Sequence, residues 1–388
     1  MDEAELQPDI CDYILVESPA DLLKVCRELT TEKRLGVDME ADSLFHYPER
    51  VCLIQISSES SNYIIDPLLV KDLSCLSPLF SDPGVVKIFH GADYDIRSLK
   101  RDFQFEVNSL FDTQIAARFL NSRELSLAGL LKERMGLVVE KRFQKKDWSR
   151  RPLPKEMLSY GAGDTCHLIG LAEMLERELR SKDRLAWVRE ECRILSSVRF
   201  DPDNGEPLFY RFRGAGRLDR RGLAVLEYLL RYRKKEAIRR NIPPFKVLEN
   251  STLMGIAQSK PGSINELKLM KGLGGKRMDH HGTSLLAGVR KALELPEDGL
   301  PILPPRKREH LSSQVSALIR KIRKWRDQKA MALDIDPPTL CPNGLIKSIA
   351  VSRAASPGDL GNIPGIRKWQ IRLFGKEVCS LISEGSAD

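Results

Sequence analysis

Five side chains in the first half of the chain have the types and spacing that two-metal hydrolysis requires. Asp38 and Glu40 lie two residues apart in a segment with strand character, and such side chains point to the same face of a β-strand. Two like charges on one face repel each other unless a divalent cation lies between them. Asp95 and Asp164 add two carboxylates, and the set could hold two metal ions about 3.5–4 Å apart. Tyr160 lies one helical turn before Asp164, so its hydroxyl could orient or deprotonate an attacking water.

Each of these residues also has a structural alternative. Asp95 follows a buried strand, where α/β proteins place their sites, but an aspartate at a helix start is also common. Asp93 could serve as that helix cap, and a turn beginning near residue 93 would point the two acids in different directions; we therefore favour Asp95. For Tyr160 and Asp164 the alternative is a helix packed on a sheet, with the tyrosine in the core and the aspartate exposed.

Hydrophobic patterning predicts a scaffold that could bring these side chains together. Strands are predicted at 13–16, 34–40, 51–57, 62–66, 85–89 and 110–111. Helices are predicted from an N-cap at Ser18 to about 29, and at about 68–80, 94–101, 113–120, 126–135 and 154–179. Hairpin strands followed by strand–helix alternation predict a mixed sheet covered on both faces by helices, an α/β fold. Beyond residue 200 the pattern is helical.

Charge is divided unevenly along the 388 residues, a length that suits two or three domains. Residues 1–200 carry a net charge of −6 and residues 201–388 one of +14. This division indicates chemistry in the first half and binding of a polyanion by the second. Basic helix faces that are merely solvated would give the same balance.

The cysteine pattern and the lack of long apolar runs indicate the cellular location of the protein. Eight cysteines are scattered, without a CxxC pair or zinc-site spacing, which predicts reduced thiols in an intracellular protein. The first residues are acidic and do not resemble a secretory signal. No apolar run approaches the ~18 residues of a membrane span. We therefore expect a cytoplasmic location and no membrane association.

The second half contains an internal repeat at a constant offset of 93 residues. A matched proline, two matched glycines and an aromatic–arginine pair in one register are unlike chance matches and indicate two copies of a helical module of about 80 residues. The matched pairs include Tyr232 with Trp325, Arg233 with Arg326, Pro244 with Pro337, Gly272 with Gly365, and Gly282 with Gly375. Basic runs at 231–235 and 320–326 occupy equivalent places in the two copies, and we favour RNA contact there over a merely soluble face.

A basic segment with interleaved aromatics, residues 141–151, is a candidate entry path for a nucleic-acid strand. Its charges, including Lys145, Lys146 and Arg151, could track phosphates, and its rings could stack on bases. Trp148 could instead be buried beneath a solvated loop. His46 and Tyr47 could stack on a terminal nucleotide or pack on the edge of the sheet. These six residues and His90 form the predicted substrate-binding set: His46, Tyr47, His90, Lys145, Lys146, Trp148 and Arg151.

The acidic motifs resemble those of the DEDD superfamily of 3′→5′ exonucleases. The resemblance rests on Asp38-x-Glu40, on Asp95 after His90-Gly91-Ala92, and on Tyr160-xxx-Asp164, the form of the tyrosine branch. Further matches point to the ribonuclease D family: Tyr47-Pro48, 53–56, 65–67, Asp112-Thr113-Gln114 and Asp147-Trp148-xx-Arg151-Pro152-Leu153. The repeated module resembles paired HRDC domains, which bind nucleic acid.

The resemblance implies a fold, a domain order and roles for the acids. We expect a ribonuclease H-like exonuclease domain (1–200), a linker (201–211), an HRDC domain (212–295), a second linker (296–308) and a second HRDC domain (309–388). The metal ligands would be Asp38, Glu40, Asp95 and Asp164, and Tyr160 would orient the water. Asp112 would support the site rather than bind the metal.

The implied activity is metal-dependent 3′→5′ exoribonuclease action by a monomer with two Mg²⁺ or Mn²⁺ ions. It would trim the 3′ ends of structured RNAs such as transfer RNA precursors and release nucleoside 5′-monophosphates. A 3′→5′ exonuclease acting on DNA stays open, since nothing in the motifs reads the 2′-hydroxyl. A non-catalytic RNA-binding scaffold is the other alternative, and the complete set of acids argues against it.

Overall fold

The computed structural model describes residues 11–139, 142–199, 205–303 and 311–384. It divides into two compact units, one formed by the described residues of 1–41, 51–200 and 309–388, and the other by those of 42–50 and 201–308. Residues 201–204 and 304–308 of the predicted linkers, and Lys141 of the basic segment, lie outside the described residues. The domain boundaries stay a prediction.

The first unit contains a six-stranded mixed sheet, as the patterning predicts. Its strands are β1 (Ile14–Val16), β2 (Arg34–Ala41), β3 (Val51–Ser57), β4 (Asn62–Ile65), β5 (Val86–Phe89) and β6 (Leu110–Asp112), in the order β1-β4-β3-β2-β5-β6. The hairpin strands β2, β3 and β4 pair antiparallel, whereas β5 pairs parallel with β2 and with β6. All seven residues of β3 are buried, as expected for a strand covered on both faces.

Eight helices of the first unit accompany this sheet. They are α1 (Pro19–Leu29), α2 (Ser77–Ser81), α3 (Asp93–Phe103), α4 (Thr113–Phe119), α5 (Leu127–Met135), α6 (Lys155–Gly163), α7 (Leu168–Ser181) and α8 (Leu185–Ser196). The predicted cap of α1 is confirmed, because the Ser18 side chain accepts a hydrogen bond from the Asp21 amide.

Two predicted helices differ from the structure. The stretch predicted as a helix over 68–80 is helical only from Ser74, because the Asp66 carboxylate accepts hydrogen bonds from Leu68 N and Leu69 N and forms a turn there. The helix predicted over 154–179 is broken between Gly163 and Leu168. This break creates a turn that the functional site uses.

The described part of the second half is helical, and its two copies keep the offset of 93 residues in three dimensions. The first copy comprises α9 (Arg220–Arg240), α10 (Pro244–Val247), α11 (Asn250–Ser259), α12 (Ile264–Lys268) and α13 (Lys276–Leu293). The second comprises α14 (Ser313–Ala332), α15 (Pro337–Leu340), α16 (Asn343–Ser352), α17 (Pro357–Leu360) and α18 (Lys368–Glu384). Positive φ angles recur at matched positions: Asn241 (48°) and Asp334 (47°), Lys260 (50°) and Arg353 (49°), and Gly272 (89°) and Gly365 (88°). The predicted repeat is confirmed.

The second copy packs within the first unit, against α8. The Trp369 ring stacks on the Trp187 ring with centroids 4.8 Å apart. Nearby, Arg367 Nε donates to both carboxylate oxygens of Glu191 at 2.9 and 3.0 Å. Ring stacking and a charge-assisted hydrogen bond therefore both hold this copy in place.

Two cysteines that are far apart in the sequence are bonded to each other. Cys11 and Cys166, 155 residues apart, form a disulfide. The expectation that all eight thiols are reduced is therefore wrong for this pair, because spacing along the chain says nothing of a contact that the tertiary fold creates. The other six cysteines are not in disulfide bonds.

None of the helices among the described residues has both the length and the hydropathy needed to cross a bilayer.

Candidate active site

The central strand β2 carries the first two acids of the site. Asp38 lies opposite Gln55 of β3, and Glu40 lies opposite Leu53. The register shifts between Glu40 and Ala41, so the strand irregularity begins directly after the second acid. Both carboxylates are half-buried and, two residues apart on one strand, share a face as predicted.

Helix α3 brings Asp95 to the same place from the neighbouring strand. The helix follows β5, the parallel partner of β2, and begins at Asp93. The Asp95 side chain is buried, and its charge interacts with that of Asp38. Asp93 instead forms an exposed ion pair with Arg97 at 2.9 Å, one turn along the helix. Asp93 and Asp95 thus point in different directions, as expected for a helix that begins near residue 93.

The end of α6 supplies Tyr160 and Asp164. Asp164 is the C-cap residue of the helix, and its carboxylate interacts with the Tyr160 side chain. The two side chains are one turn apart, so the break of the predicted long helix leaves their shared face intact.

Close backbone approach seats this turn on the sheet. A Cβ atom at Gly36 would lie 2.8 Å from Thr165 O, and one at Gly161 would lie 2.9 Å from Gln55 Nε2. At Gly36 the near atom belongs to the backbone, so a larger residue has no room there; at Gly161 a larger residue would displace the Gln55 side chain. Ser57 Oγ donates to Thr165 Oγ1 at 2.7 Å and fixes the turn between α6 and α7. The two glycines on the facing surfaces thus set the distance between the third motif and the first.

The four carboxylates strongly disfavour one another's charged forms. Burial raises the pKa of Asp38 to about 7. Burial, and then the charges of Asp38, Asp164 and Asp95, raise the pKa of Glu40 to about 10. The pKa values of Asp95 and Asp164 also lie well above the usual range, through burial and through the charge of Asp38. In the part of the chain that the structure describes, no cationic side chain pairs with these carboxylates. Such a cluster of oxygen donors is the donor set that hard divalent cations take, so the residues fit the metal that the motifs imply.

A cavity of about 480 Å³ lies over these acids. Its lining includes three of the four acids and Tyr160, together with polar side chains from neighbouring loops: Asp38, Glu40, His90, Gln114, Gln144, Tyr160 and Asp164. Sequence reasoning missed Gln114 and Gln144 as lining residues. Gln114 belongs to a segment that carries the family resemblance, and that segment was the signal that could have found it.

Asp112 supports the site through backbone contacts. Its carboxylate accepts hydrogen bonds from Gly91 N at 3.1 Å and Ala92 N at 2.8 Å, which lie directly before α3. It also accepts from Gln114 N at 2.8 Å and Ile115 N at 3.1 Å, at the start of α4. Asp112 thus fixes two loops beside the cavity, and these contacts agree with the supporting role expected of it.

His90 lines the cavity, but protein atoms contact both of its ring nitrogens. Its Nδ1 lies 2.9 Å from Thr113 Oγ1 and its Nε2 lies 3.0 Å from the Leu125 carbonyl. Burial lowers the pKa of His90, which favours the neutral ring. The ring can therefore shape the cavity wall, but its nitrogens are engaged with the protein.

Two of the predicted substrate-binding residues are structural instead. Trp148 is 1% exposed and packs in the core beneath Tyr160, so it cannot stack on a base. The Arg151 guanidinium forms an ion pair with Asp66 and donates to the carbonyls of Cys52 and Trp148, both at 2.8 Å. Both predictions are corrected, because a loop residue whose partner lies many positions away along the chain gives no local sign of burial.

The remaining predicted substrate contacts lie in different surroundings. Lys145 and Lys146 are exposed, directly after the cavity residue Gln144. His46 and Tyr47 belong to the second unit, where Tyr47 packs against the core of the first helical copy and its amide donates to Asn241 Oδ1 at 3.2 Å. Tyr47 therefore packs on the helical module, whereas the two expectations were stacking on a nucleotide and packing on the edge of the sheet.

Comparisons with known proteins agree with this geometry. The profile of a family described as 3′-5′ exonuclease matches residues 13–180, and that of the HRDC domain matches 222–289 and 315–382. Ribonuclease D of Escherichia coli K12 is 30% identical over 75% of this chain and 77% of its own. Ribonuclease D of Granulibacter bethesdensis is 29% identical over 95% and 92%. The crystal structure of Escherichia coli RNase D, described as an exoribonuclease involved in structured RNA processing, superposes with a TM-score of 0.76 at 26% identity, covering 96% and 99%.

Fold, site and profiles together define a 3′→5′ exonuclease followed by two HRDC domains. The chain belongs to the ribonuclease D family. It is therefore a 3′→5′ exoribonuclease, and like its family it depends on a divalent metal.

Proposed function

We propose that this protein trims the 3′ ends of structured RNAs, such as transfer RNA precursors, one nucleotide at a time, releasing nucleoside 5′-monophosphates. The observation that carries the proposal is the meeting of Asp38, Glu40, Asp164 and Tyr160 at one cavity, with the buried Asp95 close enough to interact with the charge of Asp38. The residues come from β2, α3 and the end of α6, which the fold has to assemble. All five belong to one chain, which supports a monomer as the active species. We place it in the cytoplasm.

Asp38, Glu40, Asp95 and Asp164 are the proposed ligands of two Mg²⁺ or Mn²⁺ ions. When bound, such ions orient a water for attack on phosphorus and stabilise the leaving oxygen. The chain's own contribution is a rigid arrangement of the acids, because β2 lies inside the sheet and Gly36 and Gly161 fix the turn that carries Asp164. Burial, and then the charges of the neighbouring acids, raise the pKa values of Glu40 and Asp95, and bound cations would stabilise the charged carboxylates.

Tyr160 is proposed to orient the attacking water rather than to deprotonate it. Burial, and then the charges of Asp164, Glu40 and Asp38, raise the pKa of the Tyr160 phenol above its usual range. A phenol in this environment keeps its proton at neutral pH, and its hydroxyl can hold a water by hydrogen bonding. Packing against Phe143, with ring centroids 5.7 Å apart, limits the motion of the ring.

The terminal nucleotides would enter past the basic segment. Lys145 and Lys146 are exposed beside Gln144, which lines the cavity, so their charges are available to phosphates approaching the acids. The basic groove of the first helical copy offers a second surface for the body of the RNA. It has a volume of about 490 Å³, and its lining includes Arg231, Lys234, Lys235 and Arg239.

Digestion of matched substrates tests the proposal. The purified protein is incubated with a transfer RNA carrying a short 3′ extension, labelled at its 5′ end, and with a DNA strand of the extension sequence. We expect stepwise shortening of the RNA from its 3′ end with Mg²⁺ or Mn²⁺, none with a chelator, and nucleoside 5′-monophosphates as products. Faster digestion of the DNA would indicate a DNA exonuclease, and binding without hydrolysis in any metal would indicate a scaffold.

A further inference from the structure

A second group of metal-binding side chains lies outside the acid cluster. Cys11 precedes β1, whereas Cys166 and His167 lie in the turn between α6 and α7. The Cys11 Sγ atom lies 3.7 Å from His167 Nε2, and one donor atom from each of the three residues lies within 4.8 Å of the others. Only the tertiary fold brings them together, since Cys11 and Cys166 are separated by 155 residues.

The donor atoms differ in chemistry from those of the active site. The four acids and Tyr160 of the active site offer carboxylate and phenol oxygens, which suit Mg²⁺ and Mn²⁺. Two thiolates and an imidazole are ligands of Zn²⁺, with Zn–S distances of about 2.3 Å and Zn–N distances of about 2.0–2.1 Å. In a tetrahedron of those dimensions the sulfur and the nitrogen are about 3.6 Å apart, close to the 3.7 Å found between Cys11 and His167.

We propose that Cys11, Cys166 and His167 bind one Zn²⁺ ion once the Cys11–Cys166 disulfide is reduced, with a water as the fourth ligand. Reduction by a dithiol or by two monothiols transfers two electrons to the disulfide and yields two protein thiols and one oxidised reductant. Zinc then displaces the two thiol protons. The disulfide and the zinc site are alternative states of one pair of sulfurs, because a sulfur–sulfur bond holds them too close to ligate separately.

The site joins the segment before β1 to the turn that carries the third acidic motif. Cys166 lies two residues after Asp164, and the Thr165 hydroxyl between them is held by Ser57. Zinc would therefore replace the disulfide as the cross-link at this point when the thiols are reduced. The proposal is independent of the RNA substrate and of the metals in the acid cluster.

Cobalt titration of the full-length protein tests the site, because Co²⁺ replaces Zn²⁺ and absorbs strongly in the near ultraviolet only when thiolates ligate it. The acid cluster, which has no sulfur, gives no such band. After reduction with a phosphine and exclusion of oxygen, we expect the band to saturate at one Co²⁺ per chain and to disappear when one equivalent of Zn²⁺ is added. Cys11→Ser and Cys166→Ser should each abolish it.

Two further variants keep the test decisive. His167→Ala retains both thiols and should weaken Co²⁺ binding at least about tenfold. Cys75→Ser, which removes a thiol from the separate Cys26–Cys75 contact, is the matched control and should bind as the wild type does. The proposal is overturned if the reduced wild type shows no thiolate band, if Cys11→Ser keeps it, or if the unreduced protein shows the same band.

Discussion

The active site and the helical copies bury charge in opposite ways. Asp95 is 7% exposed and faces other acids, and burial together with the charge of Asp38 raises its pKa. Arg326 in the second copy is 5% exposed, yet it donates to Cys341 O and Asn343 Oδ1, both at 3.0 Å. The surroundings of Asp95 disfavour its charged form, whereas hydrogen bonds from Arg326 to its surroundings satisfy the charge of the arginine.

The internal repeat shows which of the two arrangements is structural. In the first copy Arg233, the counterpart of Arg326, donates to Leu248 O at 3.0 Å and Asn250 Oδ1 at 2.7 Å, the matched partners at the same offset. A contact retained twice within one chain serves the fold of the module. Among the described residues the acids have no such duplicate and no ion pair with a cationic side chain, so the proposed metal would account for their cost to stability.

The largest expected effect on stability comes from removing the buried arginine. Arg326→Ala leaves the Cys341 carbonyl without its donor and should lower the free energy of unfolding by about 2–4 kcal/mol. The midpoint of urea denaturation, followed by tryptophan fluorescence, measures the loss. Arg323→Ala, on the same helix but exposed, is the control and should change stability by less than ~0.5 kcal/mol.

The first copy sharpens this prediction. Arg233 is only half-buried, so Arg233→Ala should cost less, about 1–2 kcal/mol. A larger loss at Arg233 than at Arg326 would show that burial does not set the value of this contact.

Removing an acid of the active site should stabilise the metal-free protein, whereas removing the buried arginine destabilises it. The pKa of Glu40 is raised from 4.5 to about 10 in the folded state. Between those values the folded protein keeps a proton that the unfolded chain has released, so stability falls as the pH rises. At pH 8 in chelator, Glu40→Gln should therefore raise the free energy of unfolding by about 1–2 kcal/mol, which a higher melting temperature would show. Near pH 5 the substitution should change the free energy of unfolding little.

Bound metal should remove the stability that Glu40→Gln gains in chelator. With Mg²⁺ the wild type is stabilised by binding and the variant is not, so the difference between them should shrink or reverse. Glu59→Gln, an exposed acid in the β3–β4 loop, is the control. An equal gain at pH 5 and pH 8 would mean that the repulsion among the acids is not its source.

The smallest expected effect is on RNA affinity, and it concerns basic side chains of the two helical copies. Lys234 and Lys235 line the basic groove of the first copy, and the positions offset from them by 93 residues hold Asp327 and Gln328. Replacing both lysines by Ala should weaken binding to structured RNA roughly tenfold. The slope of the logarithm of the binding constant against the logarithm of the salt concentration should become shallower by ~1.4. Replacing Arg323 and Lys324 of the second copy removes the same charge and should do less. Equal losses, measured by fluorescence anisotropy across a salt series, would show that both copies share the task.

The sequence predicted what depends on local periodicity and on short motifs. Strand alternation and the residues around Asp38, Asp95 and Asp164 indicated the sheet and the acids, and the offset of 93 indicated the repeat. The break between Gly163 and Leu168 was missed, because it depends on Thr165 contacting Ser57 across the fold.

The sequence also did not predict contacts between segments that are far apart along the chain. The burial of Trp148, the Arg151–Asp66 ion pair and the Cys11–Cys166 bond join segments many residues apart, and neither propensity nor spacing encodes such partners. Tyr47 likewise lies against helices almost 200 residues further along the chain, although its place shortly after β2 suggested packing on the edge of the sheet.

A matched pair of aspartates two residues apart tests the central claim most directly. Single-turnover hydrolysis of a 5′-labelled RNA is measured in Mg²⁺ for Asp95→Asn and for Asp93→Asn, with RNA affinity measured in parallel. We predict that Asp95→Asn lowers the rate by at least about a thousandfold, ~4 kcal/mol of transition-state stabilisation, with affinity nearly unchanged. Asp93→Asn, which loses only the exposed contact with Arg97, should retain nearly the full rate. Near-normal hydrolysis by Asp95→Asn, or equal losses in both variants, would contradict the assignment of the site.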